Sequence, residues 1–133
     1  MPAVLRLPIR MVIDMTGRLL LTLALLTCPA MAAGAKRGVT IVLVTDPATC
    51  AHCVTIDRKA LPELKRRGFS LAKDLKTPAD LHVVSPGEWN GRGWGDVVAL
   101  PTWIILAGGR ETGRITGARG AGEVARWLRE GKP

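Results

Sequence analysis

Apolar and polar positions fall in blocks along the chain that predict an α/β order of elements. Gly38 to Thr45 reads GVTIVLVT, a continuous β-branched run that fits a buried central strand. It stops at Asp46-Pro47, which begins a loop. Val54, Ile56, Ala60, Leu61 and Leu64 then recur at near-helical spacing as far as Arg67, and Gly68 stands where a helix C-terminus favours glycine. Asp80 to Val84 (DLHVV) predicts a second strand, and the Gly- and Trp-rich stretch 85–95 predicts a loop. Leu100-Pro101-Thr102 leads into a third strand, Trp103 to Leu106. Gly108-Gly109 predicts a turn, and Thr112 to Thr116 a fourth, antiparallel strand that completes a hairpin. Gly117 to Gly122 is a glycine-rich break. Glu123 to Arg129 is a terminal helix with Val124, Trp127 and Leu128 on one face. The segment from Phe69 to Pro78 carries no pattern that assigns it.

The N-terminal block is of a different kind. Leu19 to Leu26 reads LLLTLALL, with Arg18 before it and Thr27-Cys28-Pro29-Ala30-Met31-Ala32-Ala33 after it. A charged flank, a short apolar run and a small-residue A-x-A pattern predict a secretory signal over residues 1–33. The apolar run is broken by Pro29 and falls short of the roughly 20 residues that a membrane-spanning helix needs. An uncleaved membrane anchor is the alternative. Met11 and Met15 are possible starts, and Met15 gives the tidier signal because it drops Asp14. Thr27 stands before Cys28 where a lipid-anchored protein would have a smaller residue.

Removing that block changes the arithmetic. Of 133 residues, 34–133 form the expected domain, enough for one modest core. The whole chain carries 19 Lys+Arg against 11 Asp+Glu, for a net +8, and residues 34–133 retain +6. Lys65-Arg66-Arg67 is the one basic run, and a solvated helix end accounts for it through the macrodipole. Neither that run nor an exported address points to nucleic acid. The expected location is periplasmic or secreted.

Of three cysteines, only Cys50 and Cys53 remain, as Cys50-Ala51-His52-Cys53. A C-x-x-C is read as a redox pair, half of a zinc site or a small structural disulfide. Zinc takes four ligands, and only His52 and His82 are left to join the sulfurs. A c-type haem site needs His after the second cysteine, where Val54 stands. The pair sits at the junction of strand and helix, on the helix's first turn. Unpaired backbone N–H groups and the positive end of the dipole stabilise a thiolate there. Cys50 is then the exposed nucleophile and Cys53 its resolving partner. His52 is placed to add a positive charge or a hydrogen bond to the Cys50 thiolate.

The ordered set VTIVLVTDPATCAHC, a helix, ALPTWIIL, GRETGRITG and a closing amphipathic helix resembles the thioredoxin-like superfamily, over about residues 38–130. The resemblance implies an α/β fold with a central mixed sheet of about four strands flanked by helices. It implies that Pro101 is cis and lies beside the cysteines. It also implies that Ala51, Leu100, Pro101 and Thr102 form the substrate-binding surface, with the Leu100 backbone pairing with an extended substrate segment.

Cys-x-His-Cys is similar to the exported disulfide oxidants of the DsbA type, which carry Pro where Ala51 stands, but the chain is too short for their helical insertion domain. Thioredoxins carry Trp where Thr49 stands. They also carry a buried acid, thought to manage the resolving cysteine's proton, where Val44 stands; Asp46 is close to it in sequence.

The function implied is an exported thiol-disulfide oxidoreductase that acts on protein thiols and disulfides without a cofactor or metal. It would be recharged by a membrane or soluble redox partner, with the oxidising direction slightly favoured because a stabilised Cys50 thiolate favours the reduced form. Two other classes stay open. One is a soft-metal carrier using the same sulfurs, although Met1, Met11, Met15 and Met31 all precede the expected domain. The other is a non-catalytic module of an envelope assembly. Four Trp in so short a chain complete the candidates: Trp89 and Trp94 are read equally as an apolar rim near Cys50 or as a cap on the sheet, Trp103 and Trp127 as core.

Overall fold

The computed structural model describes residues 35–133. The expected signal segment, with Cys28 and the alternative starts, lies outside them. Five strands form one mixed sheet: β1 (Val39–Val44), β2 (Leu71–Ala72), β3 (Leu81–Val84), β4 (Thr102–Ala107) and β5 (Arg110–Thr116), in the order β2-β3-β1-β4-β5. β1 lies in the middle, parallel to β3 and antiparallel to β4, and all four of its central residues Ile41–Val44 are buried. This is the setting that its unbroken apolar run requires.

Alternate residues of β1 serve two cores. Val39, Ile41 and Leu43 pack with Ile56, Ala60, Leu61 and Leu64 of the helix after the cysteines, and with Val124, Ala125, Trp127 and Leu128 of the last helix. Val42 and Val44 face the other way, with Val84, Trp89, Val97 and Ile104. Thus both longer helical stretches cover one face of the sheet. A short helix and a loop close the other.

The helix after the cysteines is not uniform. An α-helical start, α1 (Ala51–Thr55), passes through a π-helical segment (Ile56–Ala60) into α2 (Leu61–Arg66). Pro62 stands at the head of α2. It has no N–H to give to the previous turn and its ring crowds the carbonyl there. The Leu61 N–H reaches back five residues to the Ile56 carbonyl, which widens the turn just ahead of the proline. Gly68 adopts φ +90 and ends the helix, as its position in the sequence predicts.

The expected strands are present, with a fifth added. β2 lies in the segment that carries no sequence pattern. It is two residues long and pairs with the edge of β3. Polar staples hold it there: Ser70 donates its backbone N–H and hydroxyl to the Asp80 carboxylate at 2.7 and 2.8 Å. The stretch 85–95, expected to be all loop, contains a short helix, α3 (Pro86–Trp89). Ser85 caps it by accepting the Glu88 N–H, and Pro86 follows at the first helical position. The last helix, α4 (Ala121–Glu130), exceeds the expected 123–129 at both ends and stops at Gly131, φ 76. Trp103 and Trp127 are both fully buried, meeting edge to face at 6.4 Å.

The order β1, helix, β3, β4, β5, helix, with the cysteines at the head of the first helix, defines a thioredoxin-like fold. β2 is an addition to the edge of β3.

Candidate functional site

β1 ends one residue short of Thr45, and the loop from Asp46 to Thr49 carries the chain to Cys50. The Asp46 carbonyl accepts the N–H groups of Thr49 and Cys50 at 3.2 and 3.1 Å. Its carboxylate accepts the Ala48 N–H at 3.1 Å and the Thr49 hydroxyl at 2.8 Å. Asp46 is therefore occupied in shaping the loop. Val44, where thioredoxins carry an acid, is buried within the second core.

Cys50 is the N-cap of α1. Its backbone is extended (φ −132, ψ 110) and its sulfur accepts the Cys53 backbone N–H at 3.2 Å. The two cysteines form a disulfide with Cα atoms 5.2 Å apart. Their environments differ sharply. Cys53 is fully buried, whereas Cys50 is partly exposed and flanked by exposed Ala51 and His52. An incoming sulfur therefore meets Cys50 first, and the electron pair of the broken bond is left on Cys53 in the interior. The imidazole of His52 makes no hydrogen bond to Cys50 among the described residues, so any influence on that sulfur acts through space.

The sheet brings the second half of the site alongside. Val44 pairs with Thr102 across β1 and β4, which sets Pro101 beside Thr45, where the chain leaves the sheet toward the cysteines. The Leu100–Pro101 peptide is cis, as the resemblance implies. The Pro101 carbonyl accepts the Gly117 N–H at 2.8 Å. Leu100 makes no backbone hydrogen bond among the described residues, so its N–H and carbonyl remain available to an extended segment. Thr102 is different: it is buried, and its hydroxyl donates to the Ala99 carbonyl at 2.7 Å. Its side chain helps to shape the turn.

Two further features escape a reading of the sequence. Trp89 is buried and donates to the Gly95 carbonyl at 3.0 Å, whereas Trp94, stacked on it at 5.0 Å, stays 48% exposed. One tryptophan thus caps the sheet and the other lies on the surface. The loop they share is tied by Asn90, whose side-chain amide bonds both the N–H and the carbonyl of Val97. It is tied again by Arg114 from β5, which reaches the carbonyls of Trp94, Gly95 and Asp96. Neither is signalled by spacing, because each acts on a partner that only the fold brings near.

Among the described residues, no group of three or more His, Cys, Asp or Glu side chains is arranged to hold a metal ion. No helix there is long and apolar enough to cross a membrane.

No protein-family model matches the chain, and no curated protein matches it. Solved structures similar to it include the thioredoxin pre-protein of Schistosoma mansoni in its reduced form. That match has 22% identity and a TM-score of 0.47, covering 68% of this chain and 76% of the other. A second thioredoxin structure from S. mansoni gives 22% and 0.46, covering 68% and 74%. A mutant thioredoxin from Halobacterium salinarum gives 15% and 0.42, covering 72% and 76%. Likenesses this distant say nothing of substrate or partner. The thioredoxin-like fold is assigned from the strand order and the cysteine-capped helix that follows β1. Such a fold with a close cysteine pair supports thiol–disulfide chemistry in general.

Proposed function

We propose that the chain is an exported thiol-disulfide oxidoreductase that exchanges disulfides with protein substrates through Cys50 and Cys53, preferentially as an oxidant. One observation carries this reading: a disulfide whose one cysteine, at a helix N-cap, is partly exposed and whose other is fully buried. A substrate thiolate attacks Cys50 Sγ and forms a mixed disulfide while the Cys50–Cys53 bond breaks and Cys53 takes the electron pair. A second substrate thiolate then attacks the substrate sulfur of the mixed disulfide, forming the substrate disulfide and releasing Cys50 as a thiolate. The substrate loses two electrons and two protons in all, and the cysteine pair gains the electrons.

The oxidising direction is supported by the site's charge. The Cys53 N–H, the N-terminal dipole and the nearby His52 all favour a Cys50 thiolate, which stabilises the reduced form. The unbonded Leu100 backbone supports a polypeptide as the substrate. Export is supported by the sequence of residues 1–33, and the recharging partner would be a membrane or soluble thiol–disulfide protein.

The test is the reduction potential of the pair, equilibrated against glutathione. A value near about −120 mV marks an oxidant and one near about −270 mV a reductant. A pair that does not exchange at all removes the proposal.

A further inference from the structure

Trp94 and Val98 are the two large apolar side chains that stay exposed among the described residues, Val98 at 97%. Both lie in the segment that runs into Leu100–Pro101. A loop of glycines, with Gly91, Gly93 and Gly95 all at positive φ, would not hold such a surface still by its own stiffness. Within the loop Trp89 ties Gly95 and Asn90 ties Val97, and a further hold comes from the sheet outside it.

Arg114 supplies the hold. Its Nε and Nη2 form a bidentate pair with the Glu111 carboxylate, at 2.8 and 2.9 Å. The remaining N–H donors go to the loop: Nη1 to the Asp96 carbonyl at 3.1 Å, Nη2 to those of Trp94 and Gly95 at 2.9 and 3.3 Å. Glu111 and Arg114 are three residues apart on β5, so a regular strand would send them to opposite faces. A β-bulge brings them together. Leu106 pairs with Glu111 and Ile105 with Gly113, leaving Thr112 as the extra residue. Arg114, opposite Ile104, therefore points to the face that the loop covers. Gly95 completes the fit: a Cβ there would lie 3.4 Å from Arg114 Nη2.

We propose that Arg114 is a positioning residue: by tying Trp94–Asp96 to the sheet it holds the Val98–Leu100 backbone in the geometry that a polypeptide substrate binds. This rests on the exchange reading above. The positioning acts on docking and leaves the sulfur chemistry at Cys50 untouched. Lysine cannot replace it, because an ammonium is a single point donor where a planar fork serves three carbonyls and a carboxylate.

Arg114→Met and Arg114→Lys test this in the full chain, with circular dichroism confirming that each is folded. Arg114→Lys keeps the charge beside Glu111 and the aliphatic stem on the sheet, so it retains the fold if Arg114→Met does not. The expected result in both is a KM for a disulfide-bonded or dithiol polypeptide raised about tenfold, with kcat unchanged. Exchange with oxidised glutathione and the reduction potential stay at wild-type values, and amide exchange at residues 97–100 quickens. An unchanged KM in a folded variant overturns the proposal. So does a loss of glutathione exchange as large as the loss of polypeptide exchange. If the wild-type chain exchanges with neither substrate, the redox reading fails instead. Amide exchange at 97–100 then still reports whether Arg114 holds the segment.

Discussion

Cys53 gives its backbone N–H to the sulfur of Cys50, 3.2 Å away, and so the residue that would resolve a mixed disulfide also prepares its nucleophile. In the reduced protein this donor, with the dipole behind it, should stabilise a Cys50 thiolate and lower its pKa from the ordinary cysteine value of about 8.5. The rate of alkylation of Cys50 by iodoacetamide against pH reads that value directly, and a midpoint at or above the ordinary one contradicts the N-cap argument. The division of labour has its own test. Cys50→Ser stops exchange, whereas Cys53→Ser, whose Cys50 thiolate attacks a disulfide-bonded substrate and is not displaced, accumulates mixed disulfides visible on non-reducing gels.

His52 makes no hydrogen bond to Cys50 among the described residues, so its effect on that sulfur is the effect of the imidazolium when the ring carries a proton. Removing a nearby positive charge destabilises the thiolate and hence the reduced form. His52→Ala therefore moves the reduction potential to a more negative value, by about 30 mV for each 1.4 kcal/mol lost. The effect is electrostatic across solvent and shrinks in 1 M salt, where the Debye length is about 3 Å. An effect of equal size at low and high salt would argue for a hydrogen bond instead.

Two buried tryptophans make a matched comparison. Trp103 donates its indole N–H to the Gly117 carbonyl at 3.0 Å, whereas the N–H of Trp127 is buried without a partner among the described residues. Both rings are fully buried, so trimming either to Phe leaves a similar void. Trp103→Phe also strands a carbonyl, whereas Trp127→Phe removes an unmet donor. Urea unfolding should find Trp103→Phe the costlier by about 1–3 kcal/mol.

Acid should loosen the segment around β2. The Asp74 carboxylate accepts the N–H and hydroxyl of Thr77 and the N–H of Lys76, and these hold its pKa below its ordinary 3.8. A depressed folded-state pKa gives stability that is present above the unfolded value and lost as pH falls through the folded one. Asp74→Asn should therefore flatten the fall in stability below about pH 4 and leave the curve above pH 6 parallel to wild type. Equal slopes below pH 4 would place the acid sensitivity elsewhere, for instance at Glu63, whose carboxyl the side chain of Arg67 also holds low.

What the sequence discloses and what it conceals divide along physical lines. β1, β3 and β4 are legible because each buries apolar side chains along most of its length, and β5 because the Gly108-Gly109 turn before it marks a hairpin. Cys50 and Cys53 are legible because their pairing depends on local spacing, whereas Pro101 is picked out only through the resemblance of the chain to a known family. β2 leaves no trace, since two residues cannot show a period and its hold comes from Ser70 and Asp80, ten residues apart. Thr102 looks like part of a binding surface by adjacency to Pro101, but its hydroxyl is committed to Ala99. Arg114 reads as an ordinary strand residue because its partners lie eighteen to twenty residues away, across the sheet and in another loop.

The extra residue Thr112 makes the facing of Glu111 and Arg114 a matter of parity. Deleting it would leave Glu111 and Arg114 two residues apart in a regular strand and still on one face, whereas straightening the bulge with all residues kept would send them to opposite faces and cut the loop free of its anchor. Changes that preserve the bulge between Glu111 and Arg114 would leave the anchor in place, whatever was done to the turn at Gly108-Gly109. A descendant of this chain could therefore lengthen or recolour that turn freely. It would lose its anchor on the loop if the bulge were ironed out with the residue count unchanged, at a point far from either cysteine in sequence.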